Sequence, residues 1–193
     1  MNRLSSAART AQSAWARAET RPVVLQMAGV AGFALLMAAA AHLRLALPFT
    51  PVPVTLQTAV VLISGATLGA VAGTSAQTLY LLLGATGLPF FAGGSLAGPT
   101  AGYLLAFPLA AGLVGLARRR WGYPGMLVGM VLASALILTL GSLGLALLTR
   151  APLTAALAQG ALPFLPGDAL KLLGAAGAAR LVVPAWQRLT SPR

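Results

Sequence analysis

Thr100-Ala101-Gly102-Tyr103-Leu104-Leu105-Ala106-Phe107-Pro108-Leu109-Ala110-Ala111-Gly112-Leu113-Val114-Gly115-Leu116-Ala117-Arg118-Arg119-Arg120 runs for 18 residues without a charge and stops on three arginines. That length suits a membrane-crossing helix, which needs about 20 apolar residues to span a hydrocarbon core of about 30 Å. The arginines mark the end of such a helix that faces the cytoplasm. The rest of the chain repeats the pattern. Of its 193 residues, 58% are hydrophobic and only 8% charged, against about 25% charged in soluble domains. Mean hydropathy is +0.86.

Working outward, five further apolar segments appear: Val23 to Leu43, Thr55 to Leu68, Val71 to Leu88, Met126 to Leu148, and Asp168 to Val183, the last closed by Pro184, Trp186 and Arg188. The expected architecture is an all-α integral membrane bundle of six spans, with both termini on one side. Charge tests this independently. With the termini inside, Arg3, Arg9, Arg17, Arg21, Arg118, Arg119, Arg120, Arg180, Arg188 and Arg193 are cytoplasmic, and only Arg44, Arg150 and Lys171 lie outside. The asymmetry obeys the positive-inside rule and puts both termini in the cytoplasm. It also accounts for the net charge of +11 through topology and contact with anionic membrane lipids, without nucleic acid.

Three regions follow. Residues 1–21 form a cytoplasmic tail, with Leu4, Ala8, Ala11, Trp15 and Ala18 on one face of an interfacial amphipathic helix. An Arg- and Ser-rich start also fits a transit peptide. Residues 22–188 form the membrane domain, and 189–193 a short C-terminal tail. The expected location is the cell membrane.

Catalytic chemistry is poorly supplied. The chain has no cysteine and two acidic residues, Glu19 in the tail and Asp168 beside the last span. No carboxylate pair or carboxylate metal site can be assembled, so neither metal nor cofactor is expected. His42, the single histidine, has no second metal ligand near it. The sole lysine follows Leu170, so there is no phosphate loop of the Gly-x-x-x-x-Gly-Lys type. An enzyme is not expected, and any ATP would be used by partner subunits.

Binding is better supplied. The Pro-rich stretch 48–53, the Gly-rich stretch 87–99 and the segment before Asp168 all emerge on the outer side. Irregular backbone near a membrane is tolerated where it is buried in protein or lines a cavity. Asp168 and Lys171 stand three positions apart on one helical face. They read either as a helix cap with an ion-pair partner or as a site accepting ligand N–H groups and donating to a carbonyl or carboxylate. Gln57 and Tyr103 offer an amide and a phenol edge at similar depth. Phe49, Phe90, Phe91 and Phe164 offer apolar walls. Small residues four apart, Ala28 with Gly32 and Ala34 with Ala38, allow close helix packing.

Four stretches then resemble a known family in order: Pro51-Val52-Pro53-Val54-Thr55-Leu56-Gln57-Thr58, Tyr80 to Gly94, Gly98-Pro99-Thr100-Ala101-Gly102-Tyr103, and Leu165-Pro166-Gly167-Asp168-Ala169-Leu170-Lys171. The chain resembles the BioY family, the biotin-binding substrate components of energy-coupling factor (ECF) transporters. The resemblance covers about residues 25 to 185 and leaves the tail outside. It implies a six-helix protein that captures biotin at its outer face, working with a transmembrane coupling subunit and two ATPases. By motif position it implies that Asp168 and Lys171 contact biotin, with Gln57, Tyr103, Thr55, Phe91 and Gly94 nearby. It further implies that Ala34 and Ala38 pack on the coupling subunit. Ala101 stands where glycine is frequent in the family, the Gly69–Gly73 link lacks a proline, and the 92–98 loop is short. The alternatives are a component for another small vitamin, or a packing subunit without a ligand.

Overall fold

The computed structural model describes residues 23–92 and 94–191. The expected amphipathic helix and tail at 1–21 therefore lie outside the described residues, as do Pro192 and Arg193. The elements in chain order are α1 (Val23–His42), β1 (Arg44–Leu45), β2 (Val54–Thr55), α2 (Gln57–Leu68), α3 (Ala70–Ala85), a 3-10 turn at Pro89–Phe91, α4 (Ala101–Thr149), α5 (Leu153–Gly160), a second 3-10 turn at Leu162–Phe164, and α6 (Leu165–Thr190). Three stretches are long and apolar enough to cross a membrane: Val23–His42, Ala101–Thr149 and Leu153–Thr190.

The helix α4 holds 49 residues, which at a rise of about 1.5 Å per residue would extend about 74 Å if straight. It does not run straight. Trp121 and Gly122 leave helical geometry, and Gly122 takes φ +64°, a left-handed conformation that suits a residue without Cβ. The two limbs double back, so that Gly102 faces Leu140 and Gly144, and Gly129 faces Val114 and Ala117. These limbs correspond to the fourth and fifth apolar segments. Arg118, Arg119 and Arg120 end the first limb as expected, forming its last turn before the break at Trp121 and Gly122.

At the centre stands α2. Ten of its twelve residues are buried, so it has no solvent or lipid face and can be apolar throughout. It packs between α3, α4 and α6. Gly65 lies so close to the Ala111 carbonyl of α4 that a Cβ would overlap it, and Gly73 of α3 packs on the Gly65 backbone from another side. Small residues let these helix backbones approach closely. The core is filled by Met37, Leu62, Tyr80, Val114, Met126, Met130 and Ile137, all 2% exposed or less. Large apolar side chains such as Val71, Leu147 and Leu181 point outward and form a lipid-facing surface.

Three boundaries differ from expectation. The Pro-rich stretch is not merely extended: its ends pair as an antiparallel two-stranded ladder, Arg44 with Thr55 and Leu45 with Val54, so the fold is not purely helical. Pro184 does not close α6, which continues to Thr190. The same helix starts earlier than Asp168, at Leu165, with Pro166 in its first turn, where its missing N–H costs nothing. The short helix expected around residues 154–159 is present as α5.

The small-residue reading of α1 also changes. Ala34 is 1% exposed and belongs to the chain's own core, with half-buried Ala38 packed against it. A methyl group enclosed within the chain is not a contact for a partner. Ala28 and Gly32 are exposed, and nothing approaches the Cβ position of Gly32 within 4 Å.

Candidate functional site

One end of the bundle encloses a cavity of about 290 Å³, at the lower end of the roughly 300–1,000 Å³ typical of small-molecule sites. It is built by the end of α1, the β1–β2 hairpin, the start of α2, the segment between α3 and α4, both limbs of α4, the second 3-10 turn and the first turns of α6.

Asp168 lies in the first turn of α6 and is 5% exposed. It caps no helix end, because α6 has no side-chain cap. One carboxylate oxygen accepts from Lys171 Nζ at 2.9 Å, and the other from Ser134 Oγ on α4 at 3.0 Å. Asp168 and Lys171 form the single ion pair among the described residues, with side chains only 6% and 9% exposed. Such a buried pair adds little net stability over an apolar replacement. A carboxylate offers about four acceptor positions and an ammonium three donors. Each group keeps capacity, and both line the cavity.

Gln57 opens α2. Its amide nitrogen donates to the Tyr80 hydroxyl at 2.8 Å, and its carbonyl accepts from Thr55 Oγ1 at 3.1 Å. Tyr80 in turn donates to the Phe90 carbonyl at 3.3 Å. This chain of bonds fixes the amide at the cavity wall and ties the hairpin to the 3-10 turn. Removing the Tyr80 hydroxyl would leave buried partners unpaired, typically worth about 1–3 kcal/mol. Tyr80→Phe is expected to lower the melting temperature clearly below wild type in a detergent unfolding scan.

Tyr103 reaches the cavity with its ring, since its hydroxyl already donates to the Gly160 carbonyl at 2.6 Å. It therefore presents an aromatic wall, with Phe164 at 6.3 Å between centroids. Phe91 supplies the facing wall and packs edge-on against Tyr80 at 5.5 Å. Gly94 also lines the cavity, and its N–H bonds the Phe91 carbonyl at 2.8 Å.

Of the expected site residues, Asp168, Lys171, Gln57, Tyr103, Thr55, Phe91 and Gly94 meet at one cavity. Phe49 does not. It is 59% exposed at the hairpin tip and outside the lining. Phe90 stacks on the far side of Tyr80. Two contributors went unread in the sequence. Arg44 lines the cavity and donates to the Ala92 carbonyl, linking the hairpin to the loop after α3. Ser134 orients Asp168 from the middle of an apolar segment. The signal for Ser134 was its polarity at membrane depth; Arg44 gave one as a rare outer-side cation.

The lining thus carries two cations and one carboxylate between aromatic walls. It suits a compact ligand with N–H donors, a carbonyl and one negative charge.

A family model described as BioY family matches residues 9–188. Among similar proteins, the "Biotin transporter BioY" of Thermotoga maritima is 39% identical over 138 residues, covering 68% of this chain and 81% of that protein. The "Probable biotin transporter BioY" of Pyrococcus horikoshii is 37% identical over 126 residues, covering 63% of this chain and 74% of that protein. A crystal structure of the S-component for biotin from an ECF-type ABC transporter superposes with a TM-score of 0.75 at 26% identity, covering 81% of this chain and 89% of that one.

Proposed function

The chain belongs to the BioY family, and from that premise we propose that it captures biotin in the Asp168 cavity as the substrate-specific component of an ECF-type transporter. The observation that carries this reading is the buried Asp168–Lys171 pair opening into an aromatic-walled cavity. Biotin has the matching chemistry: a ureido ring with two N–H donors and a carbonyl, an apolar bicycle, and a carboxylate on a flexible chain. Asp168 accepts from a ureido N–H. Lys171 and Arg44 are the cations available to the ureido carbonyl and the carboxylate. The ring faces of Tyr103, Phe91 and Phe164 enclose the bicycle.

The family is a class of transport components, not of enzymes. The six-span reading counts α1, α2, α3, the two limbs of α4, and α6. The arginine distribution supports cytoplasmic termini and, with them, a cavity open to the outer face of the cell membrane. On this reading residues 1–21 and 189–193 are cytoplasmic tails around the membrane domain at 22–188. Energy comes from a transmembrane coupling subunit and ATPase subunits, in keeping with the missing phosphate loop. The exposed Ala28–Gly32 face of α1, rather than Ala34, is the small-residue surface available to that subunit.

Uptake tests the reading. In cells without their own biotin synthesis or uptake, the wild-type chain with its coupling subunits should accumulate labelled biotin. Lys171→Ala should do so at under a tenth of that rate at equal membrane abundance. Equal rates would remove the pair from the site. Thiamine or riboflavin competing as strongly as biotin would reassign the ligand.

A further inference from the structure

A second cavity, of about 910 Å³, lies at the opposite end of the bundle, between the α2–α3 link, the bend of α4 and the last turns of α6. Its charged lining is entirely cationic: Arg118 and Arg119 from α4, and Arg180 from α6. Among the described residues none of the three has a carboxylate partner, the only ion pair being that of Asp168. The chain's other acid, Glu19, lies outside the described residues.

Two of these arginines are held in place. Arg118 donates to the Ala66 carbonyl at 2.6 Å. Arg180 donates to the Tyr123 hydroxyl at 2.7 Å, and its guanidinium lies 4.9 Å from that ring's centroid. Arg120, the next residue along, is absent from the lining and sits over Trp121. The positive-inside rule explains why arginines are numerous here. It does not explain why three of them, from two helices, converge on one concavity while their neighbour is directed elsewhere. The first turn of α3 borders the same space with neither an acidic residue nor a side-chain cap, so it brings no carboxylate to neutralise the arginines. The remaining wall is apolar and includes Val71, 82% exposed, and Met126.

We propose that this inner-end cavity binds a phosphate-bearing anion. A guanidinium pairs with phosphate through two parallel N–H bonds. The adjoining apolar wall, continuous with the lipid-facing surface at Val71, suits an anionic lipid headgroup, with soluble phosphate as the other source of the same chemistry. A bound anion bridging α4 and α6 beside the first turn of α3 would tie together the three helices at this end.

The test uses the full chain in neutral detergent, titrated separately with dioleoylphosphatidylglycerol, dioleoylphosphatidylcholine and inorganic phosphate. Thermal unfolding and native mass spectrometry provide the readouts. The expected result is saturable stabilisation by phosphatidylglycerol with one lipid retained per chain, and none by the choline lipid. Arg119→Gln with Arg180→Gln should weaken it at least tenfold, and Arg120→Gln less than twofold. Saturable protection by inorganic phosphate with the same variant pattern supports the site and assigns it a soluble ligand. If the double variant elutes as aggregate, the single exposed Arg119→Gln takes its place, with at least threefold weakening expected. Absence of saturation by either anion overturns the proposal. So does equal weakening by Arg120→Gln, which would mean diffuse charge rather than a site.

Discussion

Asp168→Asn is expected to weaken biotin binding at least tenfold, about 1.4 kcal/mol, in equilibrium dialysis against labelled biotin. The reason is the bonding pattern of the carboxylate. One oxygen accepts from the Lys171 ammonium and the other from the Ser134 hydroxyl. An asparagine keeps one acceptor and gains an NH₂ that an ammonium cannot accept, so the amide must turn its nitrogen toward Ser134. Lys171 then loses its counter-charge in a setting where its side chain is only 9% exposed. Breaking a buried pair from one side costs about 3–5 kcal/mol of stability, so the melting temperature should fall together with affinity. Ser134→Ala leaves the ion pair and removes one donor to a charged acceptor, worth about 1.5–3 kcal/mol of stability. Its loss of affinity should stay below that of Asp168→Asn. Unchanged binding by Asp168→Asn would mean that the carboxylate does not touch the ligand.

The second large effect concerns packing. Gly65→Leu should abolish recovery of folded protein, read as loss of the monodisperse peak in size exclusion. Even the first added carbon would overlap the Ala111 carbonyl of α4, and backbone cannot rotate away as a side chain can. Gly65→Ala forces the α2–α4 contact apart and should cost about 1–3 kcal/mol, as overpacking does. Gly32 is the matched control: its Cβ position is open, so Gly32→Ala should be neutral or slightly stabilising, alanine being the better helix former by up to about 1 kcal/mol. Equal effects at the two glycines would refute the central placement of α2.

Much of this protein is legible in its sequence. Hydropathy exposed α1, both limbs of α4 and α6, because a lipid-facing helix must be apolar along its length. The motifs around Gln57, Tyr103 and Asp168 anticipated a shared cavity, because irregular segments next to a membrane need something to line. The end of the first limb of α4 at Arg118 to Arg120 was legible too, but the tightness of the reversal through Trp121 and Gly122 was not. The misreadings have physical causes. Pro184 looked like a terminator, yet it sits within α6, where a membrane helix tolerates proline. Asp168 looked like a cap because the three residues before it, Leu165, Pro166 and Gly167, hid the true start of the helix. Arg44 was counted for topology alone, because its approach to the loop after α3 spans 48 residues and no local pattern encodes such a distance. Phe49 and Ala34 show the converse: aromatic character nominated the one and the family resemblance the other, but Phe49 sits at an exposed tip and Ala34 inside the core.

The most direct test of the central claim is calorimetric titration of biotin into the detergent-purified chain. One biotin per chain should bind with sub-micromolar affinity, below about −8.2 kcal/mol, and at least tenfold more weakly in Asp168→Asn, while thiamine gives no heat. A folded, monodisperse sample that gives no heat with biotin, or that binds biotin equally with and without the Asp168 carboxylate, would contradict it.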